Sequence, residues 1–405
     1  MIPSDPTKRR LSPITMAPRI AVGIDIGTYQ VRVVIARESA DRTSLFPKII
    51  GTGYAESKGL RHGYIVNADD VARSIRIAAT QASEFAGVKI KTAFLSIGGI
   101  GLDEVRGKGD AIISRADAEV TDLDIEKAID ASRENVSGRL VNRKILHTVP
   151  LVFSIDGSEV LGRPHGMKGT KLSVETLFVT CLEQHVNDLI ESVERADIAV
   201  ADTMASPLAG SIITLSNAEK KAGCVLANIG AETVSIVVFD NGMPVSLKVF
   251  RIGSMDITKD IALGLRISLD EAEQLKLGAI TNATYSKKKF DDILTARLTD
   301  IFELIDGHLK KLGKDQLLPA GIVLSGGGSG IGPIKEIAES ALKLHSKIAS
   351  LNIASDAKIK DSSWAVAYGL TIWGLTGDNF ARPTAGIAIK EVSNSVMGFL
   401  RQFLP

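Results

Sequence analysis

The sequence predicts an α/β protein built from two related halves. Apolar, strand-like runs alternate with helix-period segments along most of the chain. At 405 residues the chain is too long for one small core, so two or more domains are expected. One supersecondary unit also occurs twice, as RIAVGIDIGTYQVRVVIARE (Arg19–Glu38) and GCVLANIGAETVSIVVFDNG (Gly223–Gly242). Each copy is an apolar strand, a polar residue, an apolar residue and a Gly, a short turn, and an alternating return strand. Asp25-Ile26-Gly27 aligns with Asn228-Ile229-Gly230, so the second copy carries an amide where the first carries an acid.

The elements follow in order. Arg19–Ile26 and Val31–Arg37 form the first hairpin, and Lys48–Ala55 a further strand. Asp69–Ala86 has apolar residues at helical spacing (Val71, Ile75, Ala78, Ala79, Ala82), with Asn67 or Asp69 as N-cap. Lys91–Ile97 is a strand ending at Gly98-Gly99. The texture then changes. A strand at Asp110–Ser114, a helix capped by Thr121 or Asp122, a strand at Leu146–Ile155 and another at Glu175–Cys181 suggest an inserted subdomain. Pro150 points to a sheet edge. Glu183–Ala196 is a helix, and the second hairpin follows. Asp270–Leu277 and Phe290–Leu312 are helical. Ala320–Ser325 is a buried strand running into Gly326-Gly327-Gly328, and helices with Gly breaks continue to about Leu375.

Composition excludes several classes. The chain is 45% hydrophobic and 23% charged, with a net charge of +1 and 5% aromatics. Nothing there points to nucleic acid. Cys181 and Cys224 sit in apolar runs without zinc spacing and read as core residues of a reducing compartment. The first 18 residues lack an apolar h-region and read as a disordered lead. No run of about 18 apolar residues is present to span a membrane.

Four constellations bear on chemistry. A buried strand ending Asp25-Ile26-Gly27-Thr28 sets amides and a hydroxyl at a turn that suits phosphate oxygens, and its acid suits a hydrated Mg²⁺. The second hairpin supplies a matching turn, and two such turns across a cleft would clamp a polyphosphate. Ile322–Ser329 feeds a strand into three glycines, where backbone can approach a flat ligand. Glu273 and Lys276, three apart on one helix face, suit a ribose or base, or a plain ion pair.

That order of motifs resembles the actin-like ATPase superfamily, and within it the bacterial cell-division family FtsA, over about residues 19–375 plus the tail. GYAESKGLRHGYIVNADDVARSI, HTVPLVFSIDG and PAGIVLSGGGSGIGPI also match. The resemblance implies an actin-like (ribonuclease H-like) two-lobed α/β fold with an inserted 1C subdomain and a C-terminal amphipathic helix. The implied divisions are a lead at 1–18, subdomain 1A at 19–98 and 177–205, 1C at 99–176, 2A at 206–249 and 303–375, 2B at 250–302, a linker at 376–391 and a membrane-targeting helix at 392–405. It implies ATP and Mg²⁺ held by Asp25 (Mg²⁺ through water), Gly27, Thr28, Gln30, Asn228, Gly230, Thr233, Glu273, Lys276, Gly326, Gly327 and Gly328. It also implies self-assembly into filaments, docking of other division proteins, and tethering of the tubulin-like protein FtsZ to the cytoplasmic face of the inner membrane. The FtsZ C-terminal peptide would be held on 2B, where Lys288 and Arg297 suit an acidic peptide.

The chain departs from the family at the turns. Where members usually carry Asp-Ile-Gly-Gly-Gly-Thr, it has Asn228-Ile229-Gly230-Ala231-Glu232-Thr233, and where many have Lys it has Gln30. Asn228 supplies no carboxylate to orient Mg²⁺ or water, Glu232 is expected to bring negative charge near the phosphates, and Gln30 removes a positive charge. At an effective dielectric of about 20, a like-charge contact at ~4 Å costs on the order of 4 kcal/mol. Hydrolysis is therefore expected to be slow or absent, so that the chain is at most a slow ATPase whose main role is that of a structural adaptor.

The tail carries Val396, Phe399, Leu400, Phe403 and Leu404 at i, i+3, i+4, i+7 and i+8, beside Arg401, as in a helix lying on a membrane surface. That stripe discriminates against the alternative, an actin-like adaptor of type IV pilus assembly, which needs no lipid helix. A sugar or acid kinase on this fold needs a general base, and no Asp or His stands in a motif for one. An Hsp70-type chaperone would need a substrate-binding β-domain after residue 375.

Overall fold

The computed structural model describes residues 18–39, 46–279, 285–351 and 361–376. Nearly all of the N-terminal lead, the linker, and the amphipathic segment with Val396, Phe399, Leu400, Arg401, Phe403 and Leu404 lie outside the described residues. In the first half, β1 (Ile20–Ile26), β2 (Gln30–Arg37) and β3 (Lys48–Glu56) form an antiparallel meander. A small hairpin of β4 (Leu60–Arg61) and β5 (Tyr64–Ile65) leads to α1 (Ala68–Ala86). Asn67 caps α1 by accepting from the Asp69 and Asp70 amides, and the helix buries Val71, Ile75, Ala78, Ala79 and Ala82. β6 (Thr92–Ile97) then pairs parallel with β1.

The chain next builds a separate sheet from β7 (Leu102–Ile112), β8 (Arg143–Ile155), β9 (Ser158–Val160) and β10 (Lys171–Leu182), in the order β7-β10-β8-β9, with α2 (Asp122–Glu134) across it. Thr121 and Asp124 form the capping box of α2. β7 begins eight residues before the expected Asp110. Its Arg-Gly-Lys-Gly run looks like a loop but is strand, because α2 lies on it: a Cβ on Gly109 would sit 2.1 Å from the Ser132 amide nitrogen. Pro150 falls where β8 has no strand on its second side among the described residues, since β9 pairs only with Phe153–Ile155. That position meets the edge requirement. The chain returns through α3 (Glu183–Glu194) and β11 (Ala199–Ala205), which joins β6 in parallel to complete the order β11-β6-β1-β2-β3.

After α4 (Ser206–Thr214) and α5 (Asn217–Ala222) the pattern repeats. β12 (Cys224–Ile229), β13 (Val234–Asp240) and β14 (Met243–Phe250) form the second meander. α6 (Ser254–Leu265), α7 (Leu269–Lys276) and α8 (Lys287–Lys311) precede β15 (Ile322–Ser325); α9 (Ile334–Leu342), β16 (Ser346–Ile348) and α10 (Ala365–Thr376) follow it. The sheet order β16-β15-β12-β13-β14 has the connectivity and strand directions of the first sheet. The expected all-helical stretch up to Leu375 is thus corrected by β16, a short strand that completes the repeat.

Period-2 alternation assigns the faces of the second sheet. Val225, Ala227, Ile229, Val234, Ile236 and Val238 pack outward under α6, α8 and α9. Cys224, Leu226, Val237 and Phe239 pack inward, in one cluster with α4, α10 and the first sheet. α10 is buried almost all round, and α4 nearly so. At their crossing, a Cβ on Gly369 would sit 1.9 Å from the Ala209 carbonyl oxygen, and one on Gly23 of β1 would sit 2.1 Å from that of Ala367.

The inserted sheet also meets the second half. Glu104 accepts from Ser246 Oγ (2.9 Å) and the Leu247 amide (2.6 Å), Arg106 Nη2 donates to the Val245 carbonyl (2.7 Å), and Lys248 pairs with Asp103 (2.9 Å). Burial raises the Glu104 pKa although these bonds oppose it.

Gly369→Ala is expected to destabilise the protein by about 1–3 kcal/mol, because neither backbone at the crossing can give way cheaply. Gly307→Ala in α8, where nothing lies within 4 Å of the new Cβ, should instead stabilise by about 0.4–1 kcal/mol. Urea unfolding of the two variants checks the contrast.

Candidate functional site

The two hairpins have one register. Asp25 pairs with Arg32 and Ile26 with Val31; Asn228 pairs with Ser235 and Ile229 with Val234. The Gly27 amide donates to the Gln30 carbonyl (3.2 Å), and the Gly230 amide to that of Thr233 (2.9 Å). The neighbours match too. Ser96 Oγ on β6 donates to Asp25 Oδ1 (2.7 Å), and Ser325 on β15 stands in register with Asn228.

Parity puts Asp25 on the face of Gly23, toward α10, and Asn228 on the face of Cys224 and Leu226. Both polar residues thus look inward from their sheets, and the turns with Gly27, Thr28 and Gln30, and with Gly230 and Thr233, lie beside them. Burial raises the Asp25 pKa, while the Ser96 hydrogen bond and the Arg32 charge oppose that rise. Asn228 has Ser235 opposite it, not a cation. A carboxylate there would be desolvated without that help, which accounts for the amide.

Arg32 is a residue that reading the sequence overlooked. It interrupts an apolar strand on the Asp25 face, and that was the available signal. Its Nη2 donates to Gln30 Oε1 (3.0 Å), and its guanidinium lies 5.7 Å from the centre of the Trp364 ring.

The glycine run joins the second hairpin. Gly326, at φ 84°, covers Asn228 so closely that a Cβ would lie 2.2 Å from its Oδ1, and one on Gly328 would lie 2.5 Å from Ile229 Cγ2. Two of the three glycines thus serve packing, and Gly327 is the exposed one. Ser329 Oγ lies 3.2 Å from Ser362 Oγ, in the turn before α10 that also holds Asp361 and Trp364.

Lys276 is not a surface cation. Its buried ammonium donates to the Ser254 carbonyl (3.2 Å), Thr258 Oγ1 (2.8 Å) and Glu273 Oε2 (2.7 Å), which uses its three donors. Glu273 also accepts from Thr258 Oγ1 (2.6 Å) and keeps 30% of its side chain exposed. The α6 end of this cluster leans on the second turn, where the Ser254 and Met255 amides donate to the Gly230 and Ala231 carbonyls. Away from the turns, Lys288 is exposed in the first turn of α8. Arg297 is tied to Asp260 (2.6 Å) and Asp300 (3.1 Å).

Glu232 does not hang free over the turn. Its Oε2 accepts the backbone amide of His62 at 2.5 Å, and its carbonyl lies 3.4 Å from His62 Nδ1. His62 belongs to the β4–β5 turn of the first half, at φ 50°, so the bond ties the two lobes. No local sequence signal announces it, because the partners are 170 residues apart.

Comparison with known proteins decides the family. The model described as cell division protein FtsA matches residues 225–369, and that of the SHS2 domain inserted in FTSA matches residues 106–180. The cell division protein FtsA of Neisseria meningitidis serogroup B is 31% identical over 344 residues, which is 79% of this chain and 81% of that one. The chain belongs to the FtsA family. The FtsA of Bacillus subtilis is 29% identical over 370 residues, 86% of this chain and 82% of that one. Among solved structures, the PilM–PilN type IV pilus biogenesis complex aligns at a TM-score of 0.67 and 16% identity, covering 88% of this chain and 98% of that one. At that identity the likeness speaks for the fold alone, which is the actin-like two-lobed fold with its insertion. FtsA membership makes this an actin-like protein of cell division. No helix among the described residues is long and apolar enough to cross a membrane.

Glu232→Gln and Glu232→Ala are expected to lower hydrogen-exchange protection of the His62 amide by about tenfold or more, the worth of one charge-assisted bond. Unchanged protection would dismiss the tie between the lobes.

Proposed function

We propose that this FtsA-family protein binds ATP with Mg²⁺ between its lobes, assembles on the cytoplasmic face of the inner membrane, and tethers the FtsZ ring there. The observation that carries the reading is the pair of hairpin turns in one register, each beside an inward polar residue and a serine of the next strand. The residues fit such a ligand unequally. At the first turn Asp25 has an acceptor oxygen beyond the one held by Ser96, which suits a water of a hydrated Mg²⁺. Among the described residues no group of three or more His, Cys, Asp or Glu is set to hold a metal, so the ion would come with the phosphates. Gly27, Thr28 and Gln30 would line one side of the phosphates, and Gly230 and Thr233 the other. Gly327 and Glu273 would border the nucleoside, with Lys276 holding Glu273 in place.

Bound Mg²⁺ would screen the phosphate charge. Asn228 hydrogen-bonds but takes up no proton, so the second turn grips without activating water. The first expectation is tight binding of a fluorescent ATP analogue that depends on Mg²⁺, with little phosphate release. Asn228→Asp should raise the release rate by about tenfold or more. Brisk release from the unaltered protein would reject this assignment of Asn228.

The membrane step is assigned to 392–405, and the FtsZ peptide to the surface of α6–α8 that bears Lys288. Five buried apolar side chains at ~1.5–3 kcal/mol each, less the cost of ordering a helix, anchor one copy weakly. A filament adds avidity. In a liposome flotation assay, the full chain should rise with the vesicles and a chain lacking 392–405 should stay at the bottom. Co-flotation of the shortened chain would reject the assignment.

A further inference from the structure

We propose that Arg32 supplies the cation that grips nucleotide phosphate at the first hairpin, in place of a charged residue at position 30. The inference rests on the nucleotide reading above and names a residue that reading does not contain. Gln30 ends the turn without charge. Arg32 stands two residues along the same strand, so its side chain leaves the same face, and its Nη2 reaches Gln30 Oε1 at 3.0 Å. The guanidinium therefore reaches back to where the side chain of residue 30 ends.

Most of its hydrogen-bonding capacity is unused among the described residues. A guanidinium has five N–H donors. Arg32 makes one side-chain hydrogen bond among the described residues, and its Nε is shut off from solvent without any partner. Buried donors are nearly always satisfied, so the exception calls for an acceptor. Burial lowers the Arg32 pKa while the charges of Asp25 and Asp361 oppose that fall, yet Arg32 closes an ion pair with neither among the described residues. Trp364 covers one face of the region at 5.7 Å, and a planar cation beside an aromatic ring keeps its N–H edge for hydrogen bonding. That edge matches the two-oxygen face of a phosphate, which a guanidinium binds through paired hydrogen bonds. Asp361 accepts from the Ser363 amide (2.9 Å) and Ser363 Oγ (2.7 Å).

The competing role is structural: Arg32 would merely be a counter-charge for Asp25. The two roles separate by ligand. Affinities for a fluorescent ATP analogue, ADP and adenosine would be measured in the full chain, with inorganic tripolyphosphate as competitor. The variants are Arg32→Met, Arg32→Lys, and the double change Gln30→Lys with Arg32→Ala. Arg32→Met should weaken the ATP analogue by about tenfold or more, as expected for losing a charged hydrogen-bond donor, and reduce competition by tripolyphosphate. Adenosine affinity should stay within about twofold, since it carries no phosphate. The double variant should recover most of the ATP affinity, because it returns a cation to the same place. Arg32→Lys should fall between.

Equal ATP affinity in wild type and Arg32→Met would overturn the proposal and leave the nucleotide reading standing. So would equal losses for ATP and adenosine together with a lower melting temperature, which is the counter-charge result. If wild type bound neither ATP nor tripolyphosphate, the nucleotide reading itself would fall and the proposal with it.

Discussion

The arrangement depends on one steric constraint, the approach of α4 and α10 between the two sheets. Gly369 rests on the Ala209 carbonyl and Gly23 on that of Ala367, at distances that leave no room for a methyl group. Such contact fixes spacing more firmly than interlocking side chains would, since backbones cannot change rotamer. Each helix follows the outermost parallel strand of its own half. α10 nonetheless packs on the first sheet, and α4 shares the inner core with Leu226 and Val237 of the second. Each half thus closes against a helix of the other. Both hairpins inherit their position from that crossing, and so do the inward-looking Asp25 and Asn228.

Much of the fold was legible because it rests on local patterns. The hairpins read as strands from alternation, and α1 read as a helix from its apolar stripe and from Asn67. The failures have physical causes. β7 was cut short because Gly107 and Gly109 look like turn residues, whereas they are glycine so that α2 can lie on the strand. β16 has three residues, too few for any period to show. At the site, the residue types and their order were legible, but their partners were not. Lys276 sits on a helix face shared with Glu273, as its spacing implies, yet Thr258 and the Ser254 carbonyl on α6 are what bury it.

Charge explains how two copies of one hairpin diverged without losing shape. The first copy sets an acid opposite an arginine, and the second sets an amide opposite a serine. Each pair is close to neutral as a unit, which is what an inward face tolerates. An acid at 228 would lie close under Gly326 with a serine, not a cation, opposite it. The substitutions make sense as pairs across the strands. They also leave the two strand pairs unlike: one sets charges beside its turn, and the other sets only hydrogen-bonding groups there.

That asymmetry gives Glu232 its meaning. From the sequence it is a carboxylate beside a phosphate turn, and repulsion is the natural expectation. In the fold its Oε2 is taken up by the His62 amide of the opposite lobe. A hydrogen bond to a charged group contributes about 1.5–3 kcal/mol. The tie therefore favours the arrangement of the two lobes seen here.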